Sequence, residues 1–382
     1  MLIYGHFDVQ PVDPLDEWQR PPFEPIVDCE NVYARGASDD KGQAFAILAA
    51  LESYLESGAE LPINVKILLE GEEEISSPNL FSYLREHADQ LAADAVLIAD
   101  SAMLDPGHPV VMYGVRGSLY VEIEVRGPQT DLHSGTFGGA VDNPFNVLSR
   151  LLASLQDSES RRVLIPGFYD QVEEPDEDER ARIAGSPIND QVGLHLTGAP
   201  ALAGEKGYSL AERVSIRPTL EIHGVAGGYT GHGKKTVIPS KALAKVSTRL
   251  VPDQTPEEIL GLLEEHLEAI CPETVSLDIR VLGKSHPVKI NYNAPAVQAG
   301  AEAYRRGFGA VPVYLRGGGS LPFVHTMLHE LSQPGKDKIP VVMIGFGLPD
   351  DNTHAPNEKM YLPNFYKGIE TIIHFIDLFA QT

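Results

Sequence analysis

The chain has 382 residues, 43% of them hydrophobic, and a formal net charge of −24. That length supports two domains with a full core in each, and the negative charge argues against nucleic acid and anionic membranes as partners. No apolar run reaches the roughly 18 residues of a membrane span. Cys29 and Cys271, the only two cysteines, leave no disulfide framework and no CxxC site, which fits a reducing cytoplasm.

Leu2–Tyr4 reads as a short apolar strand running into GHFDVQP at 5–11. The opening MLIYGHFDV has neither the charged leader nor the cleavage site of a signal peptide. It begins inside an expected core strand, which points to further sequence upstream. The loop 31–40 leads into a helix over Lys41–Ser57, with apolar Phe45, Leu48, Leu51 and Leu55 and a stop at Gly58. A strand at Ile63–Leu69 ends at Glu72-Glu73-Glu74. A helix at Pro78–Leu91 follows, and then an apolar strand, Ala95–Ala99, ends at Asp100. Strands apolar on both faces and alternating with helices imply a parallel-rich α/β sheet, with ligands beyond the carboxyl ends of its strands.

Near residue 113 the pattern changes. Leu119, Val121, Ile123 and Val125 alternate with polar residues, as in a half-solvated antiparallel strand. A helix at Asn143–Leu155, an acidic loop at Gln171–Arg180, strands at Thr219–Val225 and Ala242–Leu250, a helix at Pro256–Ile270 and a strand at Val275–Val281 suggest an α+β insert. The α/β pattern returns after Gly317–Ser320, with a strand at Val341–Gly345 and a helix at Asn364–Phe379. The expected layout is a catalytic domain, 1–112 and 319–382, interrupted by a lid and dimerisation domain at 113–318.

The acid and histidine signals cluster at strand ends. His6 and Asp8 share a strand face, so Asp8 can accept the second ring N–H of a ligating His6. Of Asp39 and Asp40, one carboxylate can bridge two cations and the other can cap the helix, and spacing does not choose between them. Glu72-Glu73-Glu74 places like charges together, which suits one terminal ligand and one free base, or a solvated turn. Asp100 and His354 gain weight only from this set. Two other motifs fail. Gly228–Lys235 approaches a phosphate loop but has Lys235 where a hydroxyl belongs. Gly317–Ser320 lacks a nucleophile elbow.

Taken in order, RGASDDKG (35–42), DLHSGTFGG (131–139), KTVIPSKALAKVSTRLVP (235–252), RGGGSLP (316–322) and HAPNEK (354–359) resemble the dizinc metallopeptidases. That family holds carnosine dipeptidases, aminoacylases, glutamate carboxypeptidases and succinyl-diaminopimelate desuccinylases. The likeness covers nearly the whole chain and is nearest to the carnosinase-like dipeptidase branch. It implies two divalent metals, zinc by preference with manganese or cobalt tolerated, and amide hydrolysis of short peptides by a metal-bridging hydroxide. His6 and Asp100 would hold one metal, Glu74 and His354 the other, and Asp39 both, with a cis peptide bond after Asp39. Glu73 would be the general base, with Asp8 behind His6. His133 would reach into a partner subunit's site, which implies a homodimer through the lid. Arg249, Thr236, Gly319, Ser320 and, less directly, His286 would bind the substrate. The alternatives are an N-acyl-amino-acid deacylase or carboxypeptidase of the same family, or a non-catalytic remnant. Three departures stand out: the branch carries about ninety residues before the GHxD strand, Gly317 stands where it often has Glu, and Gly231–Lys234 differs from its usual loop.

Overall fold

The computed structural model describes residues 1–332 and 338–382. The first strand, β1 (Leu2–His6), is wholly buried. A short hairpin, β2 (Ile26–Asp28) and β3 (Asn31–Tyr33), precedes α1 (Lys41–Ser57), which ends where Gly58 turns left-handed. Next come β4 (Lys66–Glu70), α2 (Leu80–Glu86), α3 (Ala88–Leu91), β5 (Val96–Ala99) and β6 (Val110–Val115). The middle of the chain forms β7 (Gly117–Arg126), β8 (Leu132–His133), α4 (Ser134–Phe137), α5 (Pro144–Ala153), α6 (Glu177–Ala184), α7 (Asp190–Thr197) and α8 (Leu210–Ser215). It continues with β9 (Thr219–Gly227), β10 (Val237–Ile238), β11 (Lys241–Leu250), α9 (Pro256–Ile270) and β12 (Ser276–Ser285). The last part is β13 (Val288–Lys289), α10 (Pro295–Phe308), β14 (Val313–Gly317), α11 (Pro322–Glu330), β15 (Val341–Ile344), β16 (Lys359–Tyr361) and α12 (Leu362–Phe379).

The large sheet runs β13-β6-β15-β5-β1-β4, with β14 also on β6. The β15, β5, β1 and β4 strands are mutually parallel and β6 runs against β15. This is the mixed, parallel-rich α/β sheet expected from the apolar runs. At β1 both faces are covered, whereas Ile67 and Leu69 of the edge strand β4 are exposed. On β1, a Cβ at Gly5 would face Ala44 of α1, while the adjacent Tyr4 stacks on Phe323 of α11 with ring centroids 4.2 Å apart. Successive strand residues point to opposite faces, so α1 and α11 lie on opposite sides.

A second sheet, β12-β7-β11-β9, is antiparallel throughout. One face buries Leu119, Val121, Ile123 and Val125 of β7 under Val147, Leu148 and Leu151 of α5 and Ile259, Leu263 and Leu267 of α9. Removing each such side chain from water contributes about 1.5–3 kcal/mol, which explains why strict alternation in β7 forecasts this two-layer α+β unit.

Three expectations change. The expected insert, 113–318, ends sooner, because β13, β14 and α10 join the large sheet and its core. The acidic stretch 171–180 is not all loop, because Asp176 caps α6 by accepting the Glu179 N–H. In α1 the inward face is Ala44, Ile47, Ala50, Leu51 and Tyr54, whereas Phe45, Leu48 and Leu55 face outward. The inward residues pack on β1 and α12, and small alanines permit that close approach.

Candidate metal centre

Each element delivers a side chain to the same end of the large sheet. His6 ends β1 and is fully buried. Asp100 follows β5, and Glu73 and Glu74 form a single 3-10 turn after β4. Asp39 precedes α1, in the loop where the Asp39–Asp40 bond is cis, as expected. His354 sits after β15 with a left-handed backbone, φ 63°.

Two triads of donors converge. His6, Asp39 and Asp100 form one, and Asp39, Glu74 and His354 the other, with donor atoms within 4.8 Å of each other in each. Asp39 is common to both. Its Oδ1 lies 3.1 Å from His6 Nε2 and its Oδ2 lies 2.8 Å from His354 Nε2. One carboxylate thus turns each oxygen toward a different imidazole, as a ligand shared by two cations must. His354 Nε2 is also 3.3 Å from Glu74, and His6 Nε2 is 3.9 Å from Asp100. The other ring nitrogen of His6 meets Asp8, 3.3 Å from its carboxylate and 3.2 Å from its carbonyl.

The electrostatics fit a place built for positive charge. Burial opposes a charged His6, but the Asp39 hydrogen bond and the charges of Asp100 and Asp40 prevail and push its pKa up to about 10. Hydrogen bonds to Asp39 and Glu74 lift His354 to about 10 as well. Burial and the Asp39 charge raise Asp100 to about 7. Burial, reinforced by Asp100 and Glu74, raises Glu73 to about 7. Burial also works against a charged Asp39, yet its bonds from His354 and His6 hold it below the usual carboxylate range. Asp40 accepts the His6 N–H at 3.2 Å through Oδ2 and leaves Oδ1 without a partner. Asp40 therefore faces inward behind His6, and Asp39 takes the position between the triads.

Asp8 does more than alternation suggested. Its two oxygens accept the N–H groups of Glu73 (3.2 Å) and Glu74 (3.0 Å). Gln10 donates to Glu74 Oε2 at 2.8 Å. Sequence reasoning passed over Gln10, although it continues the i, i+2, i+4 spacing of His6 and Asp8. It also passed over Arg116, which donates to the carbonyl of Gly318 at 2.9 Å and of Arg217 at 3.2 Å, beside Arg249.

The expected substrate residues fall in three places. Arg249, near the end of β11, donates to Ser320 Oγ at 2.9 Å, with Gly319 exposed next to it. His133 and Thr236 lie together in the second sheet's appendage, where the Ser134 N–H bonds the Thr236 carbonyl at 3.1 Å. His286 is engaged apart from both, 3.1 Å from Glu257 and stacked on His325 at 4.4 Å.

Four metal-type donors around one shared carboxylate, with a neighbouring glutamate of raised pKa at the strand ends of an α/β sheet, describe a two-metal hydrolase. The profile of Peptidase family M20/M25/M40 matches residues 2–378, and the chain belongs to that family. It is similar to the Cys-Gly metallodipeptidase dug1 of Schizosaccharomyces pombe, 35% identical over all of this chain and 80% of that protein. The Beta-Ala-His dipeptidase of Mus musculus is 32% identical over 98% of this chain and 76% of its own length. Among solved structures, the M20 family metallo-carboxypeptidase Sso-CP2 from Sulfolobus solfataricus has 36% identity and a TM-score of 0.89, over all of this chain and 85% of that one.

Proposed function

We propose that this enzyme hydrolyses the amide bond of dipeptides and short peptides ending in a free carboxylate, using two divalent ions, with zinc foremost and manganese or cobalt able to replace it. The observation that carries the reading is Asp39, with an oxygen toward each of two histidines. His6 and Asp100 would hold one ion and Glu74 and His354 the other. When bound, such ions would supply Lewis-acid charge and acidify a bound water.

This chain's residues do the rest. Glu73, near pKa 7 and outside both donor triads, takes the proton of the attacking water and passes it to the leaving amine. Asp8 fixes the His6 ring by its Nδ1 contact. Arg249 and Ser320, with Gly319 beside them, receive the substrate carboxylate, which suits a planar guanidinium, and Thr236, next to His133, would reach it only across the proposed dimer. His286 joins them only on breaking its Glu257 pair. His133 Nδ1 accepts the Gly135 N–H at 3.0 Å, leaving Nε2 to donate. That free donor, on an exposed surface, supports a role in a partner subunit's site and hence a homodimer through the insert, which we take to span roughly 117–285. Cys29 and Cys271 are both free, which supports a cytoplasmic location, and no helix among the described residues is long and apolar enough to cross a membrane.

Glu73→Gln is the test. Turnover of a dipeptide should drop by about 10²–10⁴-fold while two metals per chain remain by elemental analysis. Near-normal turnover would refute the base assignment. A second reading, carboxypeptidase action on longer peptides, is favoured by the likeness to Sso-CP2. Released amine from dipeptides, longer peptides and N-acyl amino acids separates these readings.

A further inference from the structure

The loop that carries His354 also builds the support for Asp39. Glu358, four residues after His354 and only 1% exposed, inserts its carboxylate beneath Arg35–Asp39. Its Oε2 accepts from Arg35 Nη1 at 2.7 Å and from the Gly36 N–H at 3.0 Å. Its Oε1 accepts the Ser38 N–H at 3.0 Å and the Asp39 N–H at 3.1 Å. The Glu358 carbonyl takes the Ala34 N–H at 3.1 Å. Four donors saturate one carboxylate, which offers about four lone-pair sites. Asp351, three residues before His354 and fully buried, adds a second anchor by accepting from Ser38 Oγ at 2.8 Å.

A buried Arg–Glu pair is usually read as a structural staple. This one differs in where its second oxygen goes. Arg35 and Gly36 occupy only Oε2, and Oε1 is given to the backbone of Ser38 and Asp39, directly beneath the carboxylate shared by the two donor triads. We propose that Glu358 is a positioning residue for the metal pair. It fixes the backbone of Asp39 so that each oxygen faces its own histidine, and one loop, 351–358, thereby sets both the shared carboxylate and His354. The inference rests on the reading of Asp39 as a ligand of both ions.

Glu358→Gln keeps the size but can offer oxygen to only one edge; its NH2 meets N–H donors at the other. With the full chain, Co²⁺ binding is followed by its visible absorption and by competition with a chelator, and folding by circular dichroism. Glu358→Gln should stay folded and bind Co²⁺ about 10–100-fold more weakly, with kcat reduced and KM for a dipeptide little changed. Should the unpaired Arg35 charge prevent folding, Arg35→Met and the double variant Arg35→Met/Glu358→Gln give the comparison without that charge, and in Arg35→Met the Glu358 carboxylate keeps its three backbone N–H donors. The double variant should still bind Co²⁺ at least tenfold more weakly than Arg35→Met. Equal Co²⁺ affinity in either comparison, with two ions bound by the wild type, overturns the positioning role alone. Fewer than two Co²⁺ per wild-type chain overturns the two-metal reading itself.

Discussion

His6 and His354 hold protons tightly in the metal-free cluster, and Glu73 and Asp100 hold theirs to about pH 7. Histidines raised to about 10 stabilise the fold fully below the ordinary histidine value, and this contribution fades as pH climbs toward 10. Carboxyl groups raised to about 7 likewise favour the folded state at low pH, and that benefit is lost between the ordinary carboxyl range and 7. Both act in the same direction. The thermal midpoint of the metal-free protein should therefore fall from pH 5 to pH 9. Saturating Zn²⁺ should flatten or reverse that slope, because ligands must lose protons to bind a cation. Calorimetry at pH 7 in buffers of different ionisation heat should record proton release on metal binding; absence of release would contradict the raised histidine values. At this scale the convergence of donor groups was legible, since histidine and carboxylates at strand ends carry their chemistry in their identity. Glu358 was not. Its partners at Ser38 and Asp39 lie about 320 residues away, and no spacing rule reports such a contact.

The helix α1 shows how an element is constrained from outside. Gly42 sits in its first turn, where a Cβ would collide with the Ala37 carbonyl and the Met360 sulfur. Gly42→Ala should therefore cost about 1–3 kcal/mol in chemical denaturation, although alanine is the better helix former. An unchanged midpoint would show that the loop before α1 yields easily. The bounds of α1 and α9 were legible from caps and period, with Gly58 closing one and Thr255-Pro256 opening the other. The inward face of α1 was not. Large apolar side chains drew attention to Phe45, Leu48 and Leu55, whereas burial went to Ile47, Leu51 and Tyr54 together with the alanines that let α12 approach. α10 escaped notice because its buried face is built largely from alanine and glycine, although Pro295 and Gly309 mark its ends.

Across the described residues, the two large cores, one under each sheet, are separate clusters, and a third, small one joins Ile183, Ala211 and Ile216. The change from doubly buried strands to strict alternation near residue 113 made that division legible. The return to the first sheet came earlier than composition suggested, because β13 and β14 are short and carry little pattern. The proposed dimer makes a claim about the assembled enzyme. Light scattering of the active species should give twice the 41.5 kDa chain mass. Mixing His133→Ala with Glu73→Gln should restore turnover that neither has alone. An active species of single-chain mass would remove the trans role of His133.

Asp8 binds the amides of two consecutive residues, one proposed to grip a metal and the other to shuttle protons. Any displacement of this turn shifts both at once. An engineer seeking a different working acidity could not slide Glu73 without disturbing Glu74. Retuning would have to come through the surroundings of the turn, such as the packing that dehydrates it, while the turn stays where Asp8 ties it.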